Sequence, residues 1–224
     1  MSEIIQYEFS SLAILNTDSV GTFDTTVATG TGQVTDVGAT EAYGESVHFD
    51  GLTSFEMSTV PTTLTNNSAR SCSVWIYSTL SGVGQRILST GTGSGITIFQ
   101  KRSDNTVGVQ NSVFGTLGST AMSENTWYQV GFTYNGSNTV KVYLDGSLDA
   151  TNTWAMNVST QDMKFIGSTG NVEGFFNGNM LDFRLYDSEL DATAMGTLYT
   201  NGPDHVGVLL TEPILWYKLN EDSA

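Results

Sequence analysis

Side-chain carboxylates dominate the chemistry available to this 224-residue chain: 23 Asp and Glu face 8 Lys and Arg, for a formal charge of −15. Two such groups can share acid/base work in hydrolysis, or several can join carbonyl oxygens around a hard cation. Retaining glycoside hydrolysis needs a pair about 5 Å apart with one pKa raised. No strand read from the sequence offers Asp or Glu at the even spacing that would hold such a pair on one face. Nucleophilic chemistry has less to work with, because His48 and His205 are the only histidines and neither lies beside a nucleophile-like turn. Cys72 is the single cysteine, which excludes an intrachain disulfide and a Cys-based zinc site, and its strand-like surroundings predict a buried, inert thiol. The sign of the net charge also repels phosphate backbones and anionic lipid, so no nucleic acid is expected as a partner.

The elements that must position these groups are strands. Charged residues make up 14% of the chain, against roughly a quarter in ordinary globular proteins, so Thr, Ser and Asn supply much of its polarity. Thr and aromatics suit a pleated sheet, the 24 Gly with Asn, Asp and Ser supply turns, and an all-β domain follows. No run approaches the roughly 18 apolar residues of a membrane helix, and the opening MSEIIQYEFSSLAILN lacks a basic n-region, so neither membrane insertion nor a signal peptide is expected. The sequons at Asn66, Asn135 and Asn157 are then chance features of an Asn- and Ser-rich chain.

Alternating runs separated by turns are the strongest local signals. Val47-His48-Phe49 and Ser54-Phe55-Glu56-Met57 read as two strands around a tight Asp50-Gly51 turn. In Ser71–Tyr77, Val74 and Ile76 share one face, and Ser73, Trp75 and Tyr77 the other. Residues 86–89, 95–100 and 106–110 read as a meander. The runs 127–134 and 139–144 flank Asn135-Gly136, a preferred hairpin turn, with Val130, Phe132 and Tyr134 on one side and Val140, Val142 and Leu144 likewise. Near the end, 178–186 places Leu181, Phe183 and Leu185 inward and Met180, Asp182, Arg184 and Tyr186 outward. One short helix is predicted after it, capped near Asp187, with Leu190, Ala194 and Leu198 at helical spacing.

The ordered series Val47-His48-Phe49-Asp50-Gly51, Ser71-Cys72-Ser73-Val74-Trp75-Ile76, Asn125-Thr126-Trp127-Tyr128-Gln129-Val130, Val142-Tyr143-Leu144-Asp145-Gly146 and the run 176–186 resembles the LamG-like, pentraxin and laminarinase-like modules of the concanavalin A-type lectin/glucanase superfamily. It implies a two-sheet antiparallel jelly-roll β-sandwich over residues 1–203, with one sheet curved. Residues 204–224 would then be a C-terminal extension, either a closing strand or the start of a following module, since Pro213–Ser223 echoes the beginning of such a domain.

Enzymes of this group carry a Glu-x-Asp-x-x-Glu strand, which is absent here; Glu189-Leu190-Asp191 begins similarly but continues Ala192-Thr193-Ala194. The resemblance therefore implies a module without catalysis. It also implies a structural Ca²⁺, for which Asp18, the Gly51 carbonyl and Asp182 are the matching donors. Lectin branches of the group stack rings on the apolar faces of sugars, and Trp75, Tyr77 and Trp154 are the candidate ligand-binding residues, with Trp154 the most exposed by its polar neighbours. Two functions compete. One is a lectin-like module recognising a glycan or glycosylated surface, as in adhesion. The other is a structural protein packing against copies of itself or other subunits, as in a virion coat or appendage, which missing disulfides and secretion signals favour.

Overall fold

The computed structural model describes residues 25–29, 33–35, 46–57, 67–91, 97–156, 163–203 and 215–217. One antiparallel sheet runs in the order β1 (Thr25–Thr29), β4 (Ser54–Met57), β13 (Phe165–Ile166), β6 (Gln85–Ser89), β7 (Ile98–Lys101), β8 (Val107–Gln110), β9 (Gly115–Leu117). The other runs β12 (Ser147–Thr153), β11 (Thr139–Leu144), β10 (Trp127–Tyr134), β5 (Arg70–Ser78), β14 (Asn177–Tyr186), β3 (Ser46–Asp50), β2 (Gln33–Thr35), and β15 (Leu215–Tyr217) joins it on β14. These seven-stranded and eight-stranded sheets form the expected two-sheet β-sandwich, with one helix, α1 (Ala192–Asn201), among the described residues. No described helix is long and apolar enough to cross a membrane.

Strand alternation decides what each sheet buries. The β10–β11 hairpin sets Val130 opposite Leu144, Phe132 opposite Val142 and Tyr134 opposite Val140, and all six enter the core. Its turn is held by Asn135, whose Oδ1 accepts from the N–H groups of Ser137, Asn138 and Thr139. On β5, Cys72, Val74 and Ile76 face inward, and the thiol is fully buried, which pushes its pKa up and leaves it inert.

Three local expectations are corrected. The Asp50-Gly51 turn does not close a hairpin: β3 and β4 lie in different sheets, and the turn carries the chain between them. Asp50 Oδ1 accepts from Leu52 and Thr53 N–H to make this bend, after which Phe49 and Phe55 meet edge to face across the core. On β14, Met180 rather than Leu181 enters the core, and Leu181 lies opposite Trp75 on the outer side. The reason is a bulge: Asp182 takes φ +55°, the register shifts between Leu181 and Arg184, and alternation resumes one residue out of phase with Phe183 and Leu185 inward. The helix starts later than predicted, because Asp191 rather than Asp187 accepts from the Ala194 N–H as N-cap.

Two proposed binding rings are structural. Trp154 is not exposed; it is 4% accessible, sits in the core and donates from Nε1 to Thr116 Oγ1 at 2.9 Å. Its polar neighbours mark the end of an exposed edge strand whose chain then turns inward, as its backbone N–H bonds Asn138 O. Trp75 points outward from β5 but is covered by α1, where Tyr199 stacks on it at 5.6 Å. Gly131 leaves room for this packing, since a Cβ there would lie 2.4 Å from Met195 Cε. Replacing a buried aromatic by Ala typically costs about 3–5 kcal/mol, so Trp154→Ala is expected to lower the urea unfolding free energy by that amount. A loss below about 0.5 kcal/mol, the range of surface substitutions, would contradict the burial of Trp154.

Candidate functional site

Each sheet has an outer face, and the two are used differently. On the eight-stranded sheet, Tyr143, Tyr186, Leu190, Met195 and Leu198 form a second apolar cluster under α1. Beyond the helix lies a row built on the third candidate ring, Tyr77. It is half-buried against Trp127 at 5.6 Å and pairs across strands with Asn179, which in turn pairs with His48. Asn179 donates to Ser46 Oγ at 2.8 Å, and His48 Nδ1 lies 3.2 Å from its Oδ1. Tyr77, Trp75 and Trp154 therefore occupy three environments and do not converge.

The donors proposed for Ca²⁺ are also apart. Asp182 is buried and its Oδ1 accepts from Arg184 Nε at 2.8 Å, with both side chains almost fully enclosed. Gly51 lies beside Asn177, at the start of β14, since a Cβ there would meet Asn177 Nδ2. Asp182 is five residues further along that strand, roughly 16 Å at strand rise. The Gly51 carbonyl and Asp182 thus do not fit one coordination sphere, and Asp18 lies outside the described residues. No three His, Cys, Asp or Glu side chains converge among the described residues.

The outer face of the seven-stranded sheet, in contrast, holds an open cleft of about 340 Å³ lined by Gly84, Arg86, Gln100, Arg102, Ser103 and Gln110. Cross-strand register explains the set. Arg86 on β6 lies opposite Gln100 on β7, Gln100 opposite Gly108 on β8, and Gly108 opposite Leu117 on β9. The neighbouring row runs from Glu56 through Phe165, Ser89 and Ile98 to Gln110, so the half-buried Ile98 lies beside Gln110, while the Phe165 ring, on β13, has Lys164 Nζ over it at 5.1 Å. Arg86 Nη1 donates to Gln100 Oε1, and Arg86 Nε donates to Thr169 Oγ1 at 3.2 Å. Gln100 Nε2 and Arg86 Nη2 have no hydrogen-bond partner among the described residues and are left as donors. Burial lowers the Arg86 pKa and the charge of Glu173 opposes the shift; the group stays cationic at neutral pH.

Glycines make room for both arginines. A Cβ at Gly174, which takes φ +63°, would lie 2.7 Å from Arg86 Cγ, and one at Gly108 would lie 2.8 Å from Arg102 Cδ. Arg102 is anchored to Asp104 at 2.5 Å and to Thr106 Oγ1 at 3.0 Å, which fixes the cleft's second guanidinium. Chemically, the site presents planar donors around an open cleft with apolar surface alongside. Sequence reasoning missed it by following the inward residues of the meander. The available signal was the complementary set, Arg86, Gln100, Gly108 and Gln110, which alternation sends to the opposite side from Ile87, Phe99, Val107 and Val109.

Residues 52–195 match the model of the Laminin G family described as the concanavalin A-like lectin/glucanases superfamily. No curated protein matches the chain. Among solved structures, it is similar to domain 4 of AbnA, a GH43 extracellular arabinanase from Geobacillus stearothermophilus, in complex with arabinotriose. That match has 16% identity and TM-score 0.65 and covers 85% of this chain and 95% of the domain. The binding domain of Paraclostridial Mosquitocidal Protein 1 matches at 13% identity and TM-score 0.67, over 88% of this chain and 51% of that one. A native heptameric SAP-like pentraxin from Limulus polyphemus matches at 20% identity and TM-score 0.53, over 75% and 89%. The chain spans about half the length of several solved chains it matches, 48% of one from Bacteroides ovatus and 51% of the mosquitocidal domain. At these identities the likenesses establish the fold.

Breaking a buried ion pair by removing one partner costs about 3–5 kcal/mol. Asp182→Ala is therefore expected to reduce stability by that amount, equally with added Ca²⁺ and with EDTA, in denaturant titrations. A loss that appears only in the presence of Ca²⁺ would make Asp182 a cation ligand instead.

Proposed function

The chain belongs to the concanavalin A-like lectin/glucanases superfamily, and we propose that it is a non-catalytic carbohydrate-recognition module. Its glycan lies on the outer face of the seven-stranded sheet. The observation that carries this reading is the cleft in which Arg86, Gln100 and Gln110 present planar donors and acceptors, with Ile98 opposite Gln110 beside them. Sugars need both surfaces: hydroxyls bond to fixed planar amides and guanidinium groups, while the C–H face of the ring packs on apolar side chains. The arabinotriose complex of the structurally similar arabinanase domain supports the choice of ligand class.

Catalysis has no support in the disposition of the acids. On this face Glu56 is held by Lys164 Nζ at 2.6 Å, and the enclosed Asp182 by Arg184, so each faces a cation rather than a second carboxylate. A packing role in an assembly is the second reading. It is favoured by the β8–β9 tip, where Val113 and Phe114 are 74% and 56% exposed, and by the heptameric pentraxin of similar fold.

An oligosaccharide array followed by calorimetry with the best ligand, alongside light scattering, separates the two. A net hydrogen bond contributes about 0.5–1.5 kcal/mol. Gln110→Ala and Gln100→Ala are each expected to weaken binding about three- to tenfold, with sugar bound by a monomer. A silent array together with a defined oligomer would favour packing.

A further inference from the structure

We propose that the recognised glycan carries an isolated carboxylate and that Arg86 binds it. This deepens the reading above and rests on glycan binding at the same cleft. Of the described cations, Lys141, Lys164, Arg102 and Arg184 each pair with a carboxylate. Arg70 and Lys101 are buried, and Lys101 donates to the Leu80 and Val83 carbonyls. Arg86 alone among the described residues is half-buried, opens on a cleft and bonds only to neutral oxygens.

Such a guanidinium is a prepared anion site. Its stem runs under Gly174, its Nη1 is tied to Gln100 Oε1 and its Nε to Thr169, so little rotamer freedom is left to lose when a ligand arrives. Nη2 and the Gln100 amide N–H groups are the donors left free, enough to meet the two oxygens of one carboxylate. Gly84 keeps the approach clear, because a Cβ there would lie 3.2 Å from Arg86 Nη1 and 3.7 Å from Gln100 Oε1.

The rest of the chain limits how much negative charge the ligand can bear. With a net charge of −15, a polyuronate or polysulfate would be repelled along its length, whereas one carboxylate at the end of a neutral glycan meets Arg86 at contact and other charges through screening salt. Glu173 is the acid whose charge reaches Arg86, and it is exposed on the loop before Gly174 without forming an ion pair with it. It lowers the site's appetite for anions without occupying it.

The test is an array of neutral oligosaccharides each ending in a single uronate, printed beside their carboxyl-reduced counterparts and polygalacturonate. A charge-assisted hydrogen bond contributes about 1.5–3 kcal/mol, so an acid-capped glycan should bind at least tenfold more tightly than its reduced form, and Arg86→Gln should erase that ratio, bringing the acid and reduced forms to within about twofold of each other. Glu173→Gln, on an exposed residue whose loss leaves the fold intact, should tighten only the acid form, by about twofold. If Arg86→Gln does not fold, this variant decides the question, and an unchanged acid affinity overturns the proposal. Equal or better binding of reduced glycans, an acid preference that survives Arg86→Gln, or polygalacturonate as the tightest ligand would overturn it too, with glycan recognition left standing. Binding to no glycan of either kind would remove the carbohydrate reading itself.

Discussion

Phe49 against Phe55 and Phe99 against Phe132, each meeting edge to face across the gap between the sheets, commit one side of β3, β4, β7 and β10 to the core. Period-two alternation then fixes the opposite side of each strand as an outer face. A two-layer sandwich has two such faces, and this chain treats them unequally. The helix closes much of one by placing Met195, Leu198 and Tyr199 on the outward residues of β5, β10 and β11. Among the described residues no helix covers the outer side of the meander, and there the pattern supplies a guanidinium, two amides and glycine in place of large apolar groups. The position of the cleft thus follows from which face the helix does not cover.

Charge is distributed with the same economy. The chain has few cations, and most of the described ones are consumed by single carboxylates or by carbonyl oxygens. Arg184 illustrates the structural use: enclosed beside Asp182 in the bulge of β14, it balances the acid whose backbone puts the strand's alternation out of phase. Arg86 illustrates the other use, held by neutral partners with its remaining donors directed to solvent. Identical side chains acquire different roles because one is surrounded on all sides and the other lies at the floor of a cleft.

Much of this architecture was legible in the sequence. The hairpin around Asn135-Gly136 emerged with both inward sets, because alternation on each arm and a preferred turn between them point to one element, and the structure pairs those sets directly. Long-range choices were less legible. Nothing local indicates that β3 and β4, four residues apart, join different sheets, or that Asp182 takes a left-handed conformation that puts Met180 rather than Leu181 inward ahead of it. For the site, local polarity around Trp154 was a poor guide, because an edge strand can be polar up to the residue where the chain turns into the core. Arg86 and Gln100 were unremarkable in sequence. Their meaning comes from the cross-strand register that sets them side by side, together with a glycine 88 positions after Arg86 that lets its stem pass.

The central claim is that ligand binds to the outer face of the seven-stranded sheet. Amide chemical-shift mapping during titration with an acid-capped oligosaccharide tests it most directly, since every strand of the sandwich reports separately. The account predicts that the largest shifts gather on β6, β7 and β8, with the Arg86 and Gln100 side-chain signals among them. Shifts centred instead on Tyr77, Trp127 and Asn179 of the opposite sheet would contradict it.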